Sequence, residues 1–382
     1  MAKPLKLVAA NDAFGVLVAL GDVLAGKQAL FVTAPETNGK LPEVHGLPNE
    51  VADNVALIVE SSGSTGKPKR IELSLAALLA SAEASLKRIG GPGQWLLALP
   101  ANYIAGAQVL IRSLVSETQP VLMNTGVSFT AEAFVRSAML MNGSRKYTSL
   151  VPTQLNLLAT AANTDTAVLD ALKGFDAILV GGQAPRMATV KALREHGVNI
   201  VVTYGMTETA GGCVYDGFAL DGVQVGLAEN GQIFIKGATL ANDLSDPFAT
   251  NDIGFIEPNG ALVVTGRRDR VINSGGLKLS LDLVEEWVRS QPNVIDAAAL
   301  PLENPKYGDS FICWVALKDP QNNEIDKSLA VQALGKVAST AVWANLDALP
   351  LLPNGKTDLQ SLMQSFIDFQ TELREQRASG NI

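Results

Sequence analysis

At 382 residues, with 47% hydrophobic and 18% charged side chains, the chain is long enough for a large core and more than one domain, and too apolar to be disordered. A formal net charge of −8 argues against a nucleic-acid-binding surface, because neutralising phosphates takes clustered Lys and Arg. Two cysteines, Cys213 and Cys313, are too few for a disulfide framework or a thiolate zinc site, and two histidines, His45 and His196, argue against a histidine triad or a multi-histidine metal site. No apolar run reaches the ~18 residues of a membrane span, and the N-terminus lacks the apolar core of a signal peptide, so a cytoplasmic protein without a membrane partner is expected.

From the N-terminus, short β-branched runs ending in Gly or Pro alternate with longer Ala/Leu-rich segments. The runs 55–60, 95–100, 148–152, 176–182 and 199–205 read as buried strands. Segments 74–89, 131–141 and 186–196 read as helices, the last closing on His196 before a Gly stop, where a cation suits a helix C-terminus. Such alternation implies an α/β parallel sheet. From about Gly222 the pattern changes to antiparallel strands joined by Gly and Asn turns. An amphipathic helix in LSLDLVEEWVRS, strands in AAALPL and FICWVAL, a helix over 331–341, the loop ALPLLPNGKTDLQS and a tail that starts helically at Phe366 complete the chain. The expected fold is α/β, with a large N-terminal domain of parallel and mixed sheets over 1–268 and a small, mobile α+β domain over 269–382.

The strongest local signal is SSGSTGKPKR, comprising Ser61, Ser62, Gly63, Ser64, Thr65, Gly66, Lys67, Pro68, Lys69 and Arg70. It follows a strand and precedes a helix beginning near Ser74. Small residues let a backbone loop approach a polyphosphate, hydroxyls donate to its oxygens, and lysines add charge. A Walker A loop is excluded by spacing: Ser61 stands where its first Gly would be, and Pro68 follows the Lys. Taken alone, the segment is also compatible with a flexible turn, the lesser of the two readings.

The rest of the chain adds to that signal. SSGSTGKPKR resembles the phosphate loop of the adenylate-forming superfamily of acyl-CoA synthetases, peptide-synthetase adenylation domains and luciferases. GGQAP at 181–185, TYGMTETAGG at 203–212, the stretch 250–280, VEEWV at 284–288 and PLLPNGKTDLQSL at 350–362 resemble further motifs of that superfamily, in its order. The resemblance spans roughly 55–362 and implies ATP, Mg²⁺ and coenzyme A as reaction partners. It assigns Lys67 and the loop to the β- and γ-phosphates, Gly181 and Gly182 to one side of adenine, and Tyr204, followed by Gly205, to the other. Thr207 falls near the α-phosphate. Glu208 falls to Mg²⁺, a hard cation that prefers oxygen ligands. Asp252 becomes a bidentate acceptor for the ribose hydroxyls, Arg267 a donor to ribose or phosphate, Asp269 a hinge, and Lys356 the catalytic bridge between substrate carboxylate and α-phosphate. Each also has a plain reading by itself: a turn lysine, a capping glutamate, a turn aspartate, a core tyrosine.

Only about 60 residues precede the phosphate loop, which is short for the superfamily. The stretches 99–114, 148–155 and 203–217 resemble compact o-succinylbenzoate–CoA ligases of menaquinone biosynthesis, which implies 2-succinylbenzoate as the acid. An acyl pocket is then expected from Tyr103, Gly106, Thr153, Thr203, Gly205 and Gly211. Tyr103 replaces a His common in relatives, and packing in the core is an alternative role for it. Arg70, where relatives often have Gly, adds a cation near phosphate or decorates the surface, the surface being favoured. A homodimer is plausible on general grounds.

Overall fold

A computed structural model describes residues 2–62, 68–304, 308–319, 325–352 and 355–378. Among these, four sheets organise the chain. The first joins Ala2–Ala9, Ala29–Thr33 and Leu57–Ser62 in parallel, with Glu50–Ala52 and Pro68–Leu73 as antiparallel edges. The second has a parallel centre of Val121–Leu122, Gln94–Leu97, Lys146–Leu150, Ala177–Val180 and Ile200–Met206.

Strand alternation explains why this second sheet is apolar on both faces. Trp95, Leu97, Ala177 and Leu179 join one core, shared with the first sheet. Their neighbours Leu96, Ala98, Ile178 and Val180 join a second core under the helices Ala131–Met139, Pro152–Ala162, Thr166–Lys173 and Met187–Glu195. Caps fix several helix starts: Ser74 Oγ accepts from Ala77 N–H, opening Leu75–Arg88, and Thr130 Oγ1 accepts from Ala133 N–H. His196 ends Met187–Glu195, its Nδ1 2.8 Å from the Ala192 carbonyl oxygen.

Antiparallel order begins earlier than the composition change near Gly222 suggests. Gly211–Tyr215 already pairs antiparallel with Ile200–Met206, and a meander of Val223–Leu227, Gln232–Gly237, Phe248–Ile256 and Leu262–Arg267 follows. The fourth sheet takes all its strands from Val271 onward, with Gly308–Leu317 between Val294–Asn304 and Val342–Leu346. Its two faces carry separate cores. Cys313 lies in the one beneath Leu281–Arg289, whereas Cys213 lies in the core beside the second sheet. Both thiols are free and fully buried.

The helix expected over 331–341 is a correction. An α-helix runs Lys327–Leu334, stops at Gly335 with φ +84°, and a 3-10 turn occupies Lys336–Thr340. Glycine reaches that left-handed backbone at little cost, so it ends the helix and restarts the chain.

One ionic cluster ties the fourth sheet to its helix. Glu285 lies between Arg270 and Arg289, at 3.1 Å from the latter, and accepts the Ala299 N–H at 2.8 Å. Its side chain is only 12% exposed. Glu285→Ala would remove the carboxylate shared by two guanidinium groups in a partly dry site, leaving Arg270 with Asp282 and Arg289 with Asp296. We expect a loss of about 3 kcal/mol, read as a lower urea midpoint at unchanged slope. A change under about 0.5 kcal/mol would mean that water screens the cluster.

Candidate active site

Three parallel strands deliver their C-terminal ends to one place. Lys146–Leu150 leads into Val151 and Thr153, Ala177–Val180 into Gly181 and Gly182, and Ile200–Met206 into the 3-10 turn Thr207–Thr209. Ligand sites of open α/β sheets form at such ends.

The proposed phosphate loop sits on a hairpin. Ser61 pairs with Lys69 and Ser62 with Pro68, the backbones of both ends being defined. Gly63, Ser64, Thr65, Gly66 and Lys67 lie outside the described residues. The strand–loop–helix reading is therefore corrected: a second strand, Pro68–Leu73, intervenes before the helix that Ser74 caps. Alternation at its end marks the strand, since Ile71 and Leu73 are buried while Glu72 between them is exposed. Arg70 belongs to the surface framework. Its Nε lies 3.0 Å from Glu60 Oε1, its Nη2 donates to the His45 carbonyl at 2.7 Å, and its guanidinium lies over Phe31.

Thr207 and Glu208 lie beside the strand that leaves this hairpin. The Glu208 carbonyl accepts the Ala241 N–H at 2.9 Å, and the Asn242 N–H donates to the Glu72 carbonyl at 2.9 Å. Gly205 makes the turn possible: a Cβ there would lie 2.1 Å from the Gly211 carbonyl oxygen, a backbone-to-backbone clash.

A chain of polar contacts forms the next wall. The Tyr204 hydroxyl donates to Asp252 Oδ2 at 2.7 Å, while Asp252 Oδ1 lies 3.8 Å from Arg267 Nη1. Arg267 Nε and Nη2 donate to the two oxygens of Asp269 at 2.8 and 2.6 Å. Asp252 and Arg267 face each other across paired strands, which sets their spacing. Tyr204 holds one oxygen of Asp252, and a carboxylate so held keeps lone pairs on both oxygens for further donors. Burial raises the Asp252 carboxyl above the ordinary range, outweighing the downward pull of Tyr204 and Arg267. Burial and the Asp252 charge together push the Tyr204 phenol far up, so it remains a donor.

Lys356 completes the site from the far end of the sequence. It belongs to a tight turn in which the Leu352 N–H donates to the Lys356 carbonyl at 2.7 Å, and the Gly355 N–H to the Leu352 carbonyl at 2.8 Å. The Thr153 hydroxyl donates to the Gly355 carbonyl at 2.8 Å. The Lys356 side chain reaches Gly182, where Cε would be 3.4 Å from an added Cβ and where φ is +85°. Burial first, and Arg267 second, lower the pKa of its ammonium.

The residues expected to line an acyl pocket divide. The Thr153 hydroxyl is engaged by the lysine turn, through the Gly355 carbonyl. Thr203 donates to the Val180 carbonyl at 3.2 Å and sits beneath Gly181, whose added Cβ would be 2.2 Å from Thr203 Oγ1. The open side of Gly106 faces the Pro100 carbonyl, at 2.3 Å from an added Cβ, so it makes room for backbone. Gly211, at φ +108°, faces Gln108, Ser81 and Ile104, next to the half-buried Tyr103 that precedes Ile104–Val115. Ser81 Oγ and Gln108 Oε1 are buried there without a hydrogen-bond partner. Sequence reasoning missed both, because a Ser and a Gln inside apolar helices carry no motif.

The model of the family described as AMP-binding enzyme matches residues 8–242. The chain belongs to this family. This AMP-binding enzyme is 37% identical over 367 residues to the probable 2-succinylbenzoate–CoA ligase of Mycobacterium tuberculosis (strain CDC 1551 / Oshkosh), covering 92% of this chain and 95% of that one. It is 26% identical over 329 residues to the 2-succinylbenzoate–CoA ligase of Lactococcus lactis subsp. lactis, covering 80% and 70%. Its fold matches the o-succinylbenzoate CoA synthetase of Bacillus subtilis in complex with its acyl-adenylate intermediate: TM-score 0.69, 22% identity, 92% of this chain and 81% of that one. It matches the amide bond synthetase of Marinactinospora thermotolerans as well, with TM-score 0.70, 18% identity, and 95% and 80% covered. The fold alone therefore does not choose the acyl acceptor.

The raised Asp252 carboxyl carries a stability signature. A carboxyl raised on folding favours the folded state below its unfolded pKa and loses that contribution as pH rises through the folded value. Asp252→Asn is therefore expected to melt at or above the wild-type temperature at pH 7, with the difference shrinking as pH falls through the raised pKa. It should also weaken nucleotide binding. A variant clearly less stable at pH 7 would show that attraction to Arg267 outweighs burial.

Proposed function

We propose that this AMP-binding enzyme uses ATP to activate 2-succinylbenzoate as its acyl-adenylate and then transfers the acyl group to coenzyme A. The observation that carries the chemistry is the seat of Lys356 beside Gly182 and near Arg267, in contact range of a nucleotide laid along Gly181–Gly182. The acid is supported by 37% identity extending over nearly the whole of both chains. In the first step a carboxylate oxygen bonds to the α-phosphorus, the bond to the β-phosphate bridging oxygen breaks, and pyrophosphate leaves. Two anions meet there, and the Lys356 ammonium lies between them. Each such electrostatic donor is worth about 3–4 kcal/mol. In the second step the thiol, having lost its proton, attacks the acyl carbon and AMP departs.

Tyr204 offers its ring faces to adenine, its hydroxyl being held by Asp252. Asp252 and Arg267 take the ribose side, Thr207 the α-phosphate, and Ser61–Lys67 the β- and γ-phosphates. Glu208 is the carboxylate that would hold Mg²⁺. One carboxylate suits an ion shared with phosphate oxygens, and no cluster of metal-ligating side chains exists among the described residues. When bound, the ion neutralises phosphate charge. We assign 1–268 and 269–382 to separate domains turning at Asp269, whose carboxylate grips Arg267. No described helix is long and apolar enough to cross a membrane. A cytoplasmic location and a homodimer complete the reading.

Lys356→Ala should lower acid-dependent pyrophosphate release by about 10²–10³-fold while leaving thioester formation from supplied acyl-adenylate less affected. Equal loss in both half-reactions would remove Lys356 from the first step. With ATP, coenzyme A and a panel of acids, 2-succinylbenzoate should turn over far faster than benzoate; parity would transfer the reading to another aryl or acyl acid.

A further inference from the structure

We propose that Arg186 and Thr153 form a two-point clasp that seats Lys356 for adenylation. Both reach across to backbone carbonyls of the C-terminal part of the chain. Thr153 holds the lysine turn itself, through Gly355. Arg186 Nη2 donates to the carbonyls of Val294, at 3.3 Å, and Ile295.

The Arg186 contact has a built receptor. Val294–Asn304 is an edge strand that pairs with Gly308–Leu317, and its register shifts between Val294 and Asp296. Ile295 is therefore the bulged residue, without a place in the ladder. Bulges re-aim backbone groups, and an edge leaves carbonyls free to accept. The neighbouring Asp296 acts on Arg186 through its charge, while its Oδ1 is held by Arg289 Nε at 2.7 Å. What the guanidinium grips is thus peptide oxygen, and two of them.

Arg186 also lies on the segment that receives the lysine. It closes the turn that begins at Gly181 and Gly182 and stands immediately before the helix Met187–Glu195. One end of that turn touches the Lys356 side chain, and the other grips the bulge. Thr153 approaches from the neighbouring strand end, with Gly355 packed so close to Val151 that an added Cβ would lie 2.7 Å from Val151 Cγ2. Neither contact involves Asp252 or Tyr204, which bond to each other. Arg186 and Thr153 are thus positioning residues: they act through Lys356. If the unit turns at Asp269 for the second step, both contacts must break.

This rests on the adenylation reading, so the test separates the two. Wild type, Arg186→Ala, Arg186→Lys, Thr153→Val and the double variant are compared by acid-dependent ATP–pyrophosphate exchange and by thioester formation from supplied acyl-adenylate. Arg186→Ala should lower the exchange kcat roughly tenfold, with KM for ATP nearly constant and thioester formation undiminished. Arg186→Lys, which keeps a charged donor, should recover part of the loss. The double variant should be little worse than the worse single one, since either release frees the turn. Trypsin cleavage at the exposed Arg268 needs no activity, and should quicken in Arg186→Ala while the melting temperature holds. Equal losses in both half-reactions, or unaltered exchange and cleavage, would overturn the clasp. A wild type that exchanges pyrophosphate with no acid would overturn the adenylation reading alone, and the cleavage comparison would still judge the clasp.

Discussion

Two cations, Lys356 and Arg267, are brought near one another in a partly dewatered corner, and the rest of the site is arranged around that arrangement. Burial is the larger cost and repulsion from Arg267 the smaller, which is why the ammonium of Lys356 is pulled down. The structure holds the pair by gripping each from elsewhere. Arg267 is forked onto Asp269, and the turn that bears Lys356 is fastened through Gly355 to Thr153.

Backbone proximity does much of the positioning. Gly181 lies on Thr203 and Gly205 on Gly211, at separations no side chain would permit. The glycines lock adjacent strand ends into register, and register then decides which polar groups meet. Asp252 faces Arg267 because their strands pair at that step. Tyr204 reaches Asp252 because its strand carries it there at the bulge before Gly205.

Much of the architecture was legible because the apolar runs carry their own period. Val55–Glu60 and Asp176–Gly182 read as strands, and both contribute strands near those bounds. The strand Pro68–Leu73 escaped notice because it begins with Pro and carries Lys, Arg and Glu, so only Ile71 and Leu73 betray it. The helix through Gly335 was overextended because its flanks are good helix formers and a single positive φ breaks it. At the site, motif order pointed to Lys356, Asp252 and Tyr204. It could not show that Tyr204 occupies one oxygen of Asp252, or that Thr153 faces the lysine turn. Arg186 was unreadable for a deeper reason. Its partners are peptide carbonyls far along the chain, and a carbonyl has no letter in the sequence.

The two cysteines bear on how the protein meets a thiol substrate. Oxidised forms of such a substrate are disulfides, which exchange with any accessible thiolate. Cys213 is sealed in one core and pushed up to about 12, and Cys313 is sealed in another and pushed higher still, in each case mainly by burial. Neither offers a thiolate for mixed-disulfide formation, so the protein can handle sulfur chemistry while staying indifferent to the redox balance around it.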